Sequence, residues 1–132
     1  CCADGKAFEM DRPLFLAGFL GVTGVAAGAF GAHALGASVT PERLAVWETA
    51  AQYHLIHAVV LLVLATRTTG AVALERWVVA GFTLGVLLFS FSLYALVLTD
   101  VSRFAMVTPV GGLLLILSWL AISWHALSRK GG

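Results

Sequence analysis

The chain has 132 residues and a formal net charge of +1, and it is 60% hydrophobic but only 11% charged. Soluble domains carry about 25% charged residues, so this composition excludes a soluble globular enzyme and a disordered chain. Eight Lys and Arg against seven Asp and Glu leave no basic surface for nucleic acid.

A bilayer crossing takes about 20 apolar residues, and the chain has room for four crossings with short loops. The expected fold is therefore an all-α integral membrane protein, a four-transmembrane-helix bundle. Its first partner is the lipid bilayer, and its expected location is the bacterial cytoplasmic (inner) membrane. Residues 1–9, Cys1 to Glu9, are polar and precede the first span. They read as an N-terminal tail or an expression scar, or else as a lipoprotein start acylated at Cys1. With no other cysteine in the chain, neither a disulfide framework nor a cysteine-based metal site is expected.

Span one covers about 13–35. Gly21, Gly24, Gly28 and Gly31 recur along it at helical spacing, and small residues let membrane helices approach closely. They are expected to pack within the bundle, with a seam between copies of the chain as the alternative. A loop at Gly36–Val39 follows. Thr40-Pro41-Glu42 then reads as an N-cap, a proline at the first helical position and an acid in the first turn. Span two covers about 44–65. Its first half carries Glu48, Gln52, Tyr53, His54 and His57, its second half only apolar residues. Either these polar groups face the bundle or a wet cavity, or the stretch from Pro41 to about Ala50 lies along the interface before the chain dives.

The second loop runs from Arg67 to Arg76 and is marked by Thr68-Thr69-Gly70. Span three covers about 77–98, with Ser90, Ser92 and Tyr94 in one half. Thr99–Arg103 forms the third loop. Span four covers about 104–127, interrupted by Thr108-Pro109-Val110-Gly111-Gly112. Proline lacks a backbone donor and disturbs the preceding turn, so the helix proper is expected to begin near Pro109 with Thr108 as its cap.

Positive charges near the span ends set orientation. Lys6, Arg12, Arg67, Arg76, Arg129 and Lys130 fall on the side of the termini and the second loop, and only Arg43 and Arg103 on the other. Both termini are therefore expected in the cytoplasm, which counts against lipidation of Cys1.

In this orientation the unusual polar residues gather in the outer half: His33, Glu48, Gln52, His54, His57, Ser90, Tyr94 and Thr108. A hydrogen-bond network pinning the helices is the leading reading. A small-molecule, lipid-headgroup or proton site is the second, because ionisable groups inside a membrane are functional candidates and histidine suits proton handling. A zinc or copper site on His33, His54 and His57 is the third, but HxxH alone is a weak pattern and no Cys or Asp joins it. Glu48 reads as an interfacial carboxylate, a partner for a histidine or Arg103, or a general base. No nucleophile elbow, phosphate loop or metalloprotease helix is present, so no catalytic residue, metal or cofactor is expected.

Four stretches together resemble a known family. They are Gly28-Ala-Phe-Gly-Ala-His33-Ala-Leu35, Trp47-Glu-Thr-Ala50-Ala-Gln-Tyr-His54-Leu-Ile-His57-Ala, Leu88-Phe-Ser-Phe-Ser-Leu-Tyr94-Ala-Leu, and Thr108-Pro-Val-Gly-Gly112 followed by Trp119. In this order they are similar to the small bacterial and mitochondrial membrane proteins catalogued as domain of unknown function 423, which include transmembrane protein 256. The resemblance spans roughly Met10 to Leu127. It implies a four-helix membrane bundle and brings no accepted activity. The expected function is a non-enzymatic scaffold, assembly partner or accessory subunit, acting with itself or with a larger membrane complex. The alternative is a small transporter or channel component using the outer polar cluster, and a membrane enzyme or redox protein ranks third.

Overall fold

The computed structural model describes residues 11–67 and 72–128, without the side chains of 72–75. The Cys1–Glu9 tail, the Thr68-Thr69-Gly70 loop marker, Arg129 and Lys130 lie outside the described residues. Four helices follow one another up and down: α1 (Arg12–Phe30), α2 (Pro41–Thr66), α3 (Val72–Thr99) and α4 (Thr108–Ser128). A π-helical segment, Gly31–Leu35, extends α1, and a short 3₁₀ turn, Ser102–Met106, precedes α4. All four are long and apolar enough to cross a membrane.

Local chemistry sets the ends. Asp11 caps α1 by accepting from the Leu14 N–H at 3.2 Å, with Pro13 in the first turn. Thr40 caps α2 by accepting from the Arg43 N–H, with Pro41 just inside; each cap satisfies an orphan donor of the first turn. From Pro41 the helix runs unbroken for 26 residues, so no separate interfacial segment precedes the crossing. α3 begins at Val72, five residues before the expected Trp77, because Glu75 and Arg76 lower hydropathy without opposing helix formation. It ends at Asp100, whose φ of 60° places it in the left-handed region that short polar side chains tolerate. The Asp100 N–H bonds the Leu96 carbonyl at 3.0 Å, and its carboxylate pairs with Arg43 in the first turn of α2. That ion pair ties the first and third loops together at one end of the bundle. The helix proper of span four begins where the proline suggested, beside Pro109. The chain makes a 3₁₀ turn over Ser102–Met106 and enters α4 at Thr108, where Pro109, lacking an N–H, fits only a first turn.

Consecutive helices pack in pairs, α1 on α2, α2 on α3 and α3 on α4, while α1 and α4 form no packed pair among the described residues. The bundle is thus open along one side. Its inner core joins Ala17 and Leu20 of α1, Ala58 and Leu61 of α2, Phe82 and Val86 of α3 and Leu115 of α4. The α3–α4 contact is close enough for backbone to meet backbone: Gly111 rests on the main chain at Leu88 and Phe89, where a Cβ would not fit.

The glycine stripe of α1 divides in two. Gly24 lies against Leu55 and His54, and Gly31 against the indole of Trp47. Gly21 and Gly28 meet nothing within 4 Å of where a Cβ would stand. The expectation that all four pack on a neighbouring helix is corrected for these two. Gly24 to Gly31 spans seven residues, nearly two full turns, and α2 contacts that one line; Gly21 and Gly28 sit about 60° and 40° off it.

Candidate functional site

Two groups of polar side chains lie inside the bundle, both centred on α2. His54 and His57 are separated by about 60° around the helix and both are buried. In the first group the His54 Nε2 lies 3.2 Å from Thr23 Oγ1 on α1, and its Nδ1 lies 3.2 Å from the Tyr94 hydroxyl on α3. Thr23 Oγ1 in turn donates to the Phe19 carbonyl at 2.9 Å. With the Thr23 hydrogen used there, the consistent arrangement is Tyr94 O–H donating to Nδ1 and Nε2–H donating to Thr23. Two turns before His54 on α2, the Trp47 Nε1–H donates to the Ala27 carbonyl at 2.8 Å, and its ring packs against that of Tyr94 at 4.5 Å between centroids. Three helices are pinned by these contacts.

The second group fixes the state of His57. The Trp119 Nε1–H of α4 donates to His57 Nε2 at 3.3 Å, and His57 Nδ1 lies 2.7 Å from the Tyr53 carbonyl. An indole nitrogen can only donate and a carbonyl can only accept. His57 is therefore the neutral tautomer with its proton on Nδ1; a second proton would set two N–H groups against each other. Phe82 closes the site, its ring 5.5 Å from His57 and 5.3 Å from Trp119. A third contact, Ser92 Oγ to Thr108 Oγ1 at 2.7 Å, joins α3 to the start of α4. Thr108 thus spends its hydroxyl across the helix pair, where the sequence suggested a cap.

Ser90 is fully buried on the same face of α3 as Tyr94, and its hydroxyl has no partner among the described residues. The other expected members do not join. His33 is exposed on the π-helical segment, and Glu48 and Gln52 are exposed on α2. Gln52 stands about 200° from His54 around the helix, so both cannot face the same neighbours. The eight residues expected as one outer cluster are corrected to an inner set and an outward set. Among the described residues no three His, Cys, Asp or Glu side chains come together, and the trio His33, His54 and His57 is not assembled.

Sequence reasoning missed three members of the inner set. Thr23 precedes Gly24 in the sequence and reaches α2 from the flank of the Gly24–Gly31 line, and that adjacency was the available signal. Trp47 and Trp119 enter the sequence analysis only within the family stretches, although an indole N–H buried in a membrane needs an acceptor.

The family model described as "Protein of unknown function (DUF423)" matches residues 27–112, which hold Trp47, His54, His57, Ser90, Tyr94 and Thr108. The chain belongs to this family. It is 40% identical over 100 residues to the UPF0382 membrane protein YwdK of Bacillus subtilis, covering 74% of this chain and 81% of that one. It is 35% identical over 127 residues to the UPF0382 inner membrane protein YgdD of Escherichia coli, covering 89% and 92%. A UPF0382 membrane protein of Haemophilus influenzae is 30% identical over 120 residues, covering 91% and 97%. No solved structure matches. The family's description gives its function as unknown, and these relatives are named only as membrane proteins. Family membership and four apolar helices identify the chain as an integral membrane protein.

Proposed function

We propose that this chain is a non-enzymatic accessory subunit or assembly partner of a membrane complex, working through its helix surfaces and not through chemistry at its polar groups. The observation that carries the reading is the use of all four ring nitrogens of His54 and His57 within the fold. Each makes a contact with another residue of the bundle, at 2.7 to 3.3 Å. A metal ligand needs a free lone pair, and a general base or proton carrier needs a partner that belongs to substrate or water; the partners of these rings are groups of the fold itself. The open side between α1 and α4 adds support, since each of these helices has its main packing on a single consecutive helix and keeps much of its surface for lipid or another chain.

In this reading the protein resides in the bacterial cytoplasmic membrane with both termini in the cytoplasm. The excess of Lys and Arg beside the termini and the second loop supports that orientation, and a relative named as an inner membrane protein supports the location. Arg43, one of the two positive charges on the other side, is already neutralised by Asp100. The test is affinity purification of the full chain from native membranes in a mild detergent. A companion chain, or a second copy, recovered in stoichiometric amount is the expected result. A purified monomer that carries a substrate-dependent flux in proteoliposomes would overturn the reading in favour of transport.

A further inference from the structure

The outward face of α2 carries polar groups where lipid alone should lie. Gln52 is 11 residues from the start of a 26-residue helix, about 16 Å along its axis and close to mid-span. It is exposed, and neither it nor Glu48 makes a hydrogen bond or ion pair among the described residues. A carboxamide offers two donors and two lone pairs, and it is too short to reach water from the middle of the hydrocarbon. An unsatisfied polar group there is expensive, so this face wants a polar partner.

The spacing of the face says which partner. Ala45, Thr49, Gln52, Ile56, Val59 and Val63 are all exposed and follow one another at intervals of 4, 3, 4, 3 and 4 residues, the a/d repeat of a left-handed coiled coil. Thr49, Ile56 and Val63 occupy the a positions, and all three are β-branched, the choice that favours two parallel strands. Gln52 is the one polar residue at a d position, the kind of device that fixes register. Glu48 takes a g position and Tyr53 the e position five residues on, the pair that meets across a parallel dimer. Tyr53 is 41% exposed, and its hydroxyl has no partner among the described residues.

We infer that α2 is a homodimer seam: two copies of this chain, inserted the same way, pack α2 against α2 in parallel through this heptad face. The occupant is a second copy because the face complements itself. Across a two-fold axis each Gln52 amide donates to the other's carbonyl, and each Glu48 carboxylate accepts from the other copy's Tyr53 hydroxyl. This inference rests on the assembly-partner reading and names the first partner.

The test uses the full chain in phospholipid vesicles, with donor- and acceptor-labelled copies followed by energy transfer across a range of protein-to-lipid ratios. The wild type should dimerise, and Gln52→Leu should raise the dissociation constant about tenfold, the cost of losing a strong interhelical polar contact. Unfolding in detergent checks the variant's fold; an exposed leucine should leave it intact. In chains whose Cys1 and Cys2 are replaced by serine, Val59→Cys should form an intermolecular disulfide on oxidation and Leu120→Cys on α4 should not. A chain that stays monomeric at every ratio, or a dimer cross-linked through α4 and indifferent to Gln52→Leu, would overturn the seam. Such a failure is distinct from failure of the assembly-partner reading, which a companion chain recovered in stoichiometric amount from native membranes would still support.

Discussion

Gly111→Ala puts a single methyl group where two helix backbones meet. Its carbon would stand 2.7 Å from the Leu88 carbonyl carbon and 2.8 Å from the Phe89 Cα. Carbon atoms rest at about 3.5–4.0 Å, so α3 and α4 would have to part locally by roughly 1 Å, and neither side has a flexible end that can swing away. A gap of that size forfeits a quarter to a half of the dispersion well along the contact, and overpacking of this kind costs about 1–3 kcal/mol. The neighbouring Gly112→Ala is the control. Its methyl would lie 3.6 Å from the Phe89 ring, an ordinary contact, and alanine gains roughly 0.5–1 kcal/mol over glycine in a helix. Adjacent identical substitutions should therefore move stability in opposite directions. Unfolding by dodecyl sulfate in mixed micelles, followed by circular dichroism, reads both. A shift of the two variants in the same direction, or no loss for Gly111→Ala, would refute the close α3–α4 approach.

Two glycines of α1 and its extension, three residues apart, should behave differently in the same assay: Gly31→Ala should drive its methyl into the Trp47 indole, 2.5 Å away, and cost about 1–3 kcal/mol, while Gly28→Leu, facing open space, should cost nothing measurable. Ser90→Ala should be neutral or stabilising by up to about 1 kcal/mol, because it removes a buried hydroxyl that has no partner; a clear loss of stability would show that the hydroxyl is satisfied. A reporter fused at Gly132 should be cytoplasmic and one inserted at Ala37 external, and the reverse pattern would refute the charge-based orientation.

The spans were legible because hydropathy and length alone define a crossing, and the start of α2 because Thr40-Pro41 is a capping signal independent of tertiary contacts. The start of α3 was not, since hydropathy falls at Glu75-Arg76 while the backbone stays helical. That polar groups of α2 could not share one narrow face was also readable from the 100° turn per residue. Which of them face inward was not. The structure turns the flat rings of His54 and His57 toward Tyr94, Phe82 and Trp119, which both fill space and complete their hydrogen bonds, and leaves Gln52 and Glu48 outside. Periodicity gives a helix its faces but not its neighbours, and the same limit explains Gly21 and Gly28. Thr23 went unread because a single hydroxyl among glycines has no pattern until His54 stands opposite it.

The claim that the inner polar residues hold helices together, and do no chemistry, is tested most directly by nitrogen-15 magnetic resonance of the histidine rings in lipid bilayers. The account predicts that His57 carries its proton on Nδ1 with an unprotonated Nε2, that His54 couples to the Tyr94 hydroxyl, and that both rings exchange slowly with water. Rings that exchange rapidly, with protons on both nitrogens, would mean that water reaches them and that the bundle encloses a working site.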